Sequence, residues 1–325
     1  MNNNKNKAIE LKIIFAGTSP LAKDILEELV KNEYNIIAAM TQPDKKVGRK
    51  QEIIPNTVKT FCQEKNIDIL QPEKIDAEFV QKIKDLKPDL VIVAAYGKIL
   101  SQAFLDIPGF GCINVHTSLL PKLRGPSPIQ NALLLGKTKT GVTIMLMDAG
   151  VDTGDVLTRF EVKIDSNDTT PTLSEKLSRH GAELLIKTIP LWINKQIEPE
   201  KQNNSHATLC QLIEKNDGKI LWNETAQEIY NKFRAFYSWP GIFCFWSDGE
   251  KGSIKRIKLT DISIEESLGS EKRHLGEVFK SNESLCVQTA SGIIVIKKLQ
   301  LEGKSEMDAL SFTNGYPNFI GSILK

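Results

Sequence analysis

Three residues of this chain have the types and the neighbours to do chemistry together. Asn114 and His116 stand in "INVHTSLLPKLRGPSPIQ", where an apolar run stops and a Pro-rich loop carrying a Gly and an Arg begins. They are separated by one residue, so strand alternation turns both side chains to the same face. Asp152 stands in "DAGVDTGD", where Gly150 and Gly154 permit a tight backbone that would return its carboxylate toward that face. An Asn amide can donate to a developing oxyanion without titrating, a His can move a proton, and an Asp can hold the imidazole. No Ser or Cys nucleophile is evident beside them, so a substrate would supply it, as when an acyl or formyl group passes directly to an amine. The plainer reading stands next to this one: a single His at a strand end is ordinary structure, and Asp in a "DTGD" loop is a turn former.

The elements that must position the three come from hydrophobic periodicity. "LKIIFAG", "YNIIAAM", "PDLVIVAAYG" and "GFGCINVH" read as buried strands, separated by helical patterns in "SPLAKDILEELVKN", "NTVKTFCQEKN" and "AEFVQKIKDLK". Ser19 can cap the first helix and Pro20 suits its first turn. Continuous apolar strands between helices imply a mostly parallel, doubly wound, Rossmann-like α/β domain. Ligands of such sheets bind outside the strands' carboxyl ends, where Asn114 and His116 fall. "FAGTSP" lacks the GxGxxG spacing, which leaves dinucleotide binding with weak support. "TGVTIMLMD" and "DVLTRFEVKI" add two strands, and "TPTLSEKLSRHGAELLIKTIPLWINK" a long closing helix. We read residues 1–195 as this domain and 196–214, polar and aperiodic, as a linker.

Residues 215–325 read differently. "ETAQEIYNKFRAFYSWPG" is helical until Pro240 and Gly241, and five short strands follow at close spacing, which suggests a small antiparallel β-barrel of OB-like type. The 325 residues suit two such domains, and the formal net charge of +2 makes no global case for nucleic-acid binding. Five Cys, odd in number and in no CxxC pair, argue against a disulfide framework and against a metal site. The polar start "MNNNKNKAIE" leaves no room for a signal peptide, and no apolar run approaches bilayer length, so a cytoplasmic protein with no membrane contact is expected. Nothing in the sequence demands more than a monomer.

These segments resemble the folate-dependent formyltransferases, and within them the branch that acts on charged tRNA. The resemblance rests on "NVHTSLLPKLRGPSPIQ" with "TGVTIMLMDAGVDTGDVL", and on "IIFAGT", "TQPDKKVGRK", "QPEKI", "VAAYGKIL", "DGKILW", "FRAFYSWPG" and "LQLEGKSEMDALSFTNGY" in order, nearly the whole chain. It implies transfer of the formyl group of 10-formyltetrahydrofolate to the α-amine of methionine on initiator tRNA, by a bacterial-type enzyme of translation initiation that needs no metal. By motif position Asn114, His116 and Asp152 match the family's catalytic trio, and Ser118, Leu119, Leu120 and Pro121 the segment bordering the tetrahydrofolate. Ala95, Tyr96 and Gly97 match the strand end that walls the pterin.

The loop "TQPDKKVGRKQEII" matches the family's inserted tRNA-binding loop, with Lys45, Lys46, Arg49 and Lys50 as its basic cluster and Gly48 giving it freedom. In the second domain "KGSIKRIKL", Lys272, Arg273 and Lys280 could meet phosphates, and basic strands on a solvated face are equally ordinary. Three departures touch loops only: Ser19 displaces Pro20 by one after Gly17 and Thr18, Thr57 stands for a second Pro, and Ser101 replaces a Pro. Two alternatives are a sugar-nucleotide formyltransferase and a catalytically silent RNA-binding relative. No residue of "KLRGPSP" takes a chemical role from sequence alone.

Overall fold

The computed structural model of the protein describes residues 10–47, 52–248, 253–266 and 273–325. The chain divides into two compact units, one of Met1–Pro128, Lys139–Ile164 and Leu173–Gln211, the other of Ile129–Thr138, Asp165–Thr172 and Leu212–Lys325. The stretch 196–214, read as a linker, is therefore not free chain. Glu200 bridges Val156 and Leu209 bridges Arg124, so as far as Gln211 it is stitched to the first unit. Aperiodic backbone still needs hydrogen-bond partners, and here it finds them on existing loops and strands.

In the first unit the chain runs β1 (Ile13–Gly17), α1 (Pro20–Lys31), β2 (Ile36–Met40), β3 (Lys45–Val47), β4 (Glu52–Ile54), α2 (Thr57–Lys65), β5 (Ile69–Leu70), α3 (Ala77–Leu86), β6 (Leu90–Ala94), α4 (Gln102–Leu105) and β7 (Cys112–His116). After α5 (Pro128–Leu134), assigned to the second unit from Ile129, come β8 (Lys139–Leu146), β9 (Val156–Lys163) and α6 (Thr170–Ile193). Ser19 caps α1, its hydroxyl accepting the Ala22 N–H at 3.3 Å, with Pro20 in the first turn. β1 and β6 are buried along their whole length, and each such Ile, Val or Phe contributes about 1.5–3 kcal/mol of burial energy.

Among the described residues, seven strands form one sheet in the order β5-β2-β1-β6-β7-β8-β9. β5, β2, β1, β6 and β7 pair in parallel, whereas β8 and β9 run antiparallel to their neighbours. The build direction reverses between β1 and β6, which opens a crevice at their carboxyl ends. β7 lies one strand away, with Asn114 level with Val93 of β6. Val115, between Asn114 and His116, faces α6, which comes so near that a Cβ at Gly181 would stand 3.1 Å from Val115. Alternation then sends Asn114 and His116 to the opposite face.

The second unit contains α7 (Ala226–Ala235), β10 (Ile242–Asp248), β11 (Ser253–Glu265), β12 (Val278–Ser281), β13 (Ser284–Gln288), β14 (Ile293–Leu301), β15 (Glu306–Asp308) and α8 (Ala309–Gly315). Thr225 and Glu228 form a capping box at the start of α7. The helix stops at Ala235, earlier than the Pro-Gly pair predicts, because the Phe236 carbonyl accepts the Gly241 N–H and closes a loop there. The strands pair in the order β10-β11-β14-β13-β12, with β15 on β14. Residues 321–325 then bond both outer strands: Lys325 exchanges hydrogen bonds with Phe245 of β10, and Gly321 and Ser322 with Val278 of β12. The expected antiparallel barrel is thus joined through this last segment.

No helix among the described residues is long and apolar enough to cross a membrane. All five Cys are free and buried. Burial pushes the Cys62 thiol up to about 11 and those of Cys112 and Cys244 up to about 12, and it raises Cys210 and Cys286 as well. Because the thiolate is the reactive form, Ellman's reagent at pH 8 is expected to label none of the five rapidly in the native protein and all five after denaturation. Rapid native labelling of even one would contradict this packing.

Candidate active site

β8 ends opposite Ile113, beside Asn114, so the loop that follows it starts next to the side chains it must reach. Within that loop the Asp148 carboxylate accepts the Gly150 N–H at 3.1 Å and the Thr153 hydroxyl at 2.7 Å. The turn so tied presents Asp152 with φ of +52°, a left-handed conformation that costs a non-glycine residue about 1 kcal/mol or more.

The three residues converge. Asn114 Nδ2 donates to Asp152 Oδ1 at 3.3 Å, and His116 Nδ1 lies 3.6 Å from Asp152 Oδ2. The Gly125 N–H also donates to Oδ2, at 2.8 Å. His116 is 6% exposed, and its Nε2 lies 3.0 Å from the Leu123 carbonyl oxygen. A carbonyl can only accept, so Nε2 carries the hydrogen in the neutral ring and Nδ1 is the ring atom left to take or give a proton beside Asp152. One N–H of Asn114 is spent on Asp152, and among the described residues the second meets no partner. An amide donor and an imidazole nitrogen therefore stand 3.3 and 3.6 Å from one carboxylate, groups able to hold an oxyanion and to relay a proton.

The loop after β7 is held as firmly as the strand. The Ser118 carbonyl accepts from the Thr143 hydroxyl at 2.6 Å, and the same oxygen of Thr143 receives the Leu120 N–H at 3.1 Å. Ser118 Oγ donates to the Lys122 carbonyl, and Arg159 Nε to the Leu120 carbonyl. Arg159 also forms a two-pronged pair with Glu200, and its guanidinium holds the Glu200 carboxyl below the usual range. Ser118 and Leu120 are buried, while Leu119 and Pro121 are partly open. At the end of β6 Tyr96 is a core residue, packed with Ile83, Leu100 and Phe104. Its carbonyl accepts from Gln42 Nε2 at 2.9 Å and from the Thr18 hydroxyl at 3.3 Å. Ala95 and Gly97, both with positive φ, flank it, and Ala95 is exposed.

Lys45 and Lys46 lie on β3, paired with Ile54 and Ile53 of β4 in a separate two-stranded ribbon. Gly48, Arg49 and Lys50 lie outside the described residues, as does Lys272. Arg273 stacks 3.9 Å from the Phe279 ring centre, and Lys280 is exposed on β12. Among the described residues no group of three or more His, Cys, Asp or Glu is placed to hold a metal ion.

Sequence reasoning gave no role to five contributors. Gly125 binds the carboxylate, and Thr143 ties the loop. Gln202 reaches the Asp152 backbone and Arg124 holds Gln202, by contacts described below. Cys210 donates its thiol to the Arg124 carbonyl at 3.1 Å; burial foremost raises its pKa, so it serves as a neutral donor and not as a nucleophile. Arg124 and Gly125 had a visible signal, an Arg-Gly pair inside a Pro-rich turn. Gln202 had none.

Residues 11–189 match the formyl transferase family and residues 212–317 the formyl transferase C-terminal domain. The methionyl-tRNA formyltransferase of Caldicellulosiruptor saccharolyticus is 43% identical over 97% of this chain and 100% of its own length. That of Caldanaerobacter subterraneus is 38% identical over 97% and 100%. Among solved structures, an N-formyltransferase from Helicobacter canadensis in complex with folinic acid and dTDP-3-aminofucose superposes with a TM-score of 0.63 at 21% identity, covering 88% of this chain and 99% of that one. The methionyl-tRNA formyltransferase from Clostridium thermocellum gives 0.54 at 19%, covering 78% and 94%. At these identities the two structures speak for the fold alone.

Gly125 has φ of +112°, and a Cβ there would stand 2.5 Å from the Cys210 carbonyl oxygen. Gly125→Ala is expected to lower stability by about 1–3 kcal/mol, measured by denaturant unfolding. An unchanged midpoint would show that this turn has slack.

Proposed function

The chain belongs to the formyl transferase family, and on that footing we propose that it moves the formyl group of 10-formyltetrahydrofolate onto the α-amine of methionine charged on initiator tRNA. The observation that carries the reading is the convergence of Asn114, His116 and Asp152 on one face of β7, in a chain whose full-length relatives bear that activity in their names.

The amine lone pair attacks the formyl carbon and makes the new C–N bond, and the carbonyl oxygen takes the negative charge. The second N–H of Asn114 donates to that oxygen, with His116 beside it. As the oxyanion collapses back to a carbonyl, the bond from the formyl carbon to the folate nitrogen breaks. The proton released by the amine, collected at the Asp152 and His116 Nδ1 pair, passes to that nitrogen, which leaves as a neutral amine. Neither step needs a nucleophile from the protein. Ala95 and Gly97 suit a folate wall because both are exposed and carry the smallest side chains. Leu119 and Pro121 contribute apolar surface, while Ser118, Leu120 and Tyr96 act by holding the backbone in place.

Lys45 and Lys46 on their ribbon, together with Arg49 and Lys50, form the basic element for the acceptor end of the tRNA. On this reading the protein works as a monomer in the cytoplasm of a bacterial cell. Transfer to an amino sugar on a nucleotide has support at the level of fold only.

The deciding assay offers purified protein 10-formyltetrahydrofolate with charged initiator tRNA, and in parallel a nucleotide-linked amino sugar. Formylmethionyl-tRNA is expected, with no formylated sugar; the opposite pattern would replace the acceptor, and no product from either would end the enzyme reading. Asn114→Ala or His116→Ala is expected to slow the chemical step by roughly 100-fold or more with the fold intact, and wild-type turnover would remove the roles given to them. Arg49→Ala is expected to weaken tRNA binding in a gel-shift titration and to leave folate affinity unchanged; an equal loss of folate affinity would refute the loop's role.

A further inference from the structure

Arg124 is 5% exposed, a buried cation that requires partners on its whole fork. Its Nε and Nη2 donate to Gln202 Oε1 at 3.1 and 2.8 Å, and Nη2 also to Asn204 Oδ1 at 2.9 Å. Because a guanidinium only donates, the Gln202 oxygen must face it and the Gln202 NH2 must face the other way. That NH2 donates to the Asp152 carbonyl at 2.9 Å and to the Gly154 carbonyl at 2.7 Å. The next residue after Arg124 is Gly125, whose N–H holds the Asp152 carboxylate. Backbone bonds from Arg124 to Thr208 and from Cys210 to Arg124 fasten that strip in turn.

The contacts close a ring from Arg124 through Gln202 to the Asp152 carbonyl, along that residue to its carboxylate, and back through Gly125. We infer that Arg124 and Gln202 are a positioning pair for the reaction proposed above: they fix the left-handed backbone of Asp152 and so aim its carboxylate at Asn114 and His116. Neither side chain touches the reacting atoms. A left-handed non-glycine residue persists only where its surroundings over-determine it, and this ring pins Asp152 at both its carbonyl and its side chain.

Gln202→Glu is the discriminating variant. It keeps an acceptor for Arg124 and removes both donations to the Asp152 turn. In single-turnover formylation of charged initiator tRNA, the rate of the chemical step is expected to fall roughly 10- to 100-fold, the cost of misaligning a catalytic group. KM for tRNA and for the folate, and the thermal midpoint, are expected to stay close to those of the unaltered protein. Added to Asp152→Ala, the same change is expected to cost nothing more, since its effect runs through that side chain. Arg124→Lys, which loses the two-pronged grip, is expected to behave like Gln202→Glu.

A wild-type rate in Gln202→Glu with an active parent would overturn the pair, as would a full additive loss in the Asp152→Ala background or a rise in KM that accounts for the deficit. An unaltered protein that formylates no charged tRNA would instead sink the proposed function. The two failures are distinct because the parent is measured alongside.

Discussion

The Asp152 carboxylate has lost most of its water, with 16% of its side chain exposed, and must recover in hydrogen bonds what it gives up in hydration. It does so from two directions: the Asn114 amide on Oδ1 and the Gly125 N–H on Oδ2. Both donors depend on distant parts of the chain. Asn114 needs β7 in register between β6 and β8, and Gly125 needs a turn left-handed at Leu123 and open at Gly125. Shift either and the carboxylate turns away from His116. The strand, the Pro-rich loop and the segment near residue 202 thus answer to a single group.

How much of this was legible follows from what each residue asks of its neighbours in sequence. The spacing of Asn114 and His116 is a strand's own period, so their common face could be read directly, and the buried runs of β1, β6 and β7 announced a parallel sheet. Asp152 was readable as far as its flanking glycines suggested a tight loop; that the loop starts beside Asn114 depends on the antiparallel register of β8, which is a tertiary fact. β3, β4 and β5 are two or three residues long, too short for any periodicity to emerge. Gln202 sits in polar, aperiodic chain whose order comes wholly from the surfaces it lies on, so the stretch looked like a linker. Arg124 was noticed and left unassigned, since its partner is 78 positions away.

β7 also shows how a sheet can serve two masters. Its middle residue, Val115, belongs to the core under α6, where a glycine in the helix makes room for it. The residues on either side of it carry polar groups to the other face. A one-residue slip would exchange these faces, burying an amide and an imidazole under the helix and opening a valine to the site. Pairing on both flanks, parallel with β6 and antiparallel with β8, forbids the slip. The reversal at β8 therefore fixes the register as well as the starting point of the loop.

The closure of the second unit has a consequence for how that unit behaves toward other chains. Outer strands of an open sheet carry unpaired amides and carbonyls, which recruit further strands and seed aggregation. Here β10 and β12 are the outer strands, and one short segment, residues 321–325, bonds to both. Those few residues act as a shared seam, and a cut ahead of Gly321 would bare the edge of β12 together with the Phe245 end of β10, whose Phe243 end stays bonded to residues 219–220.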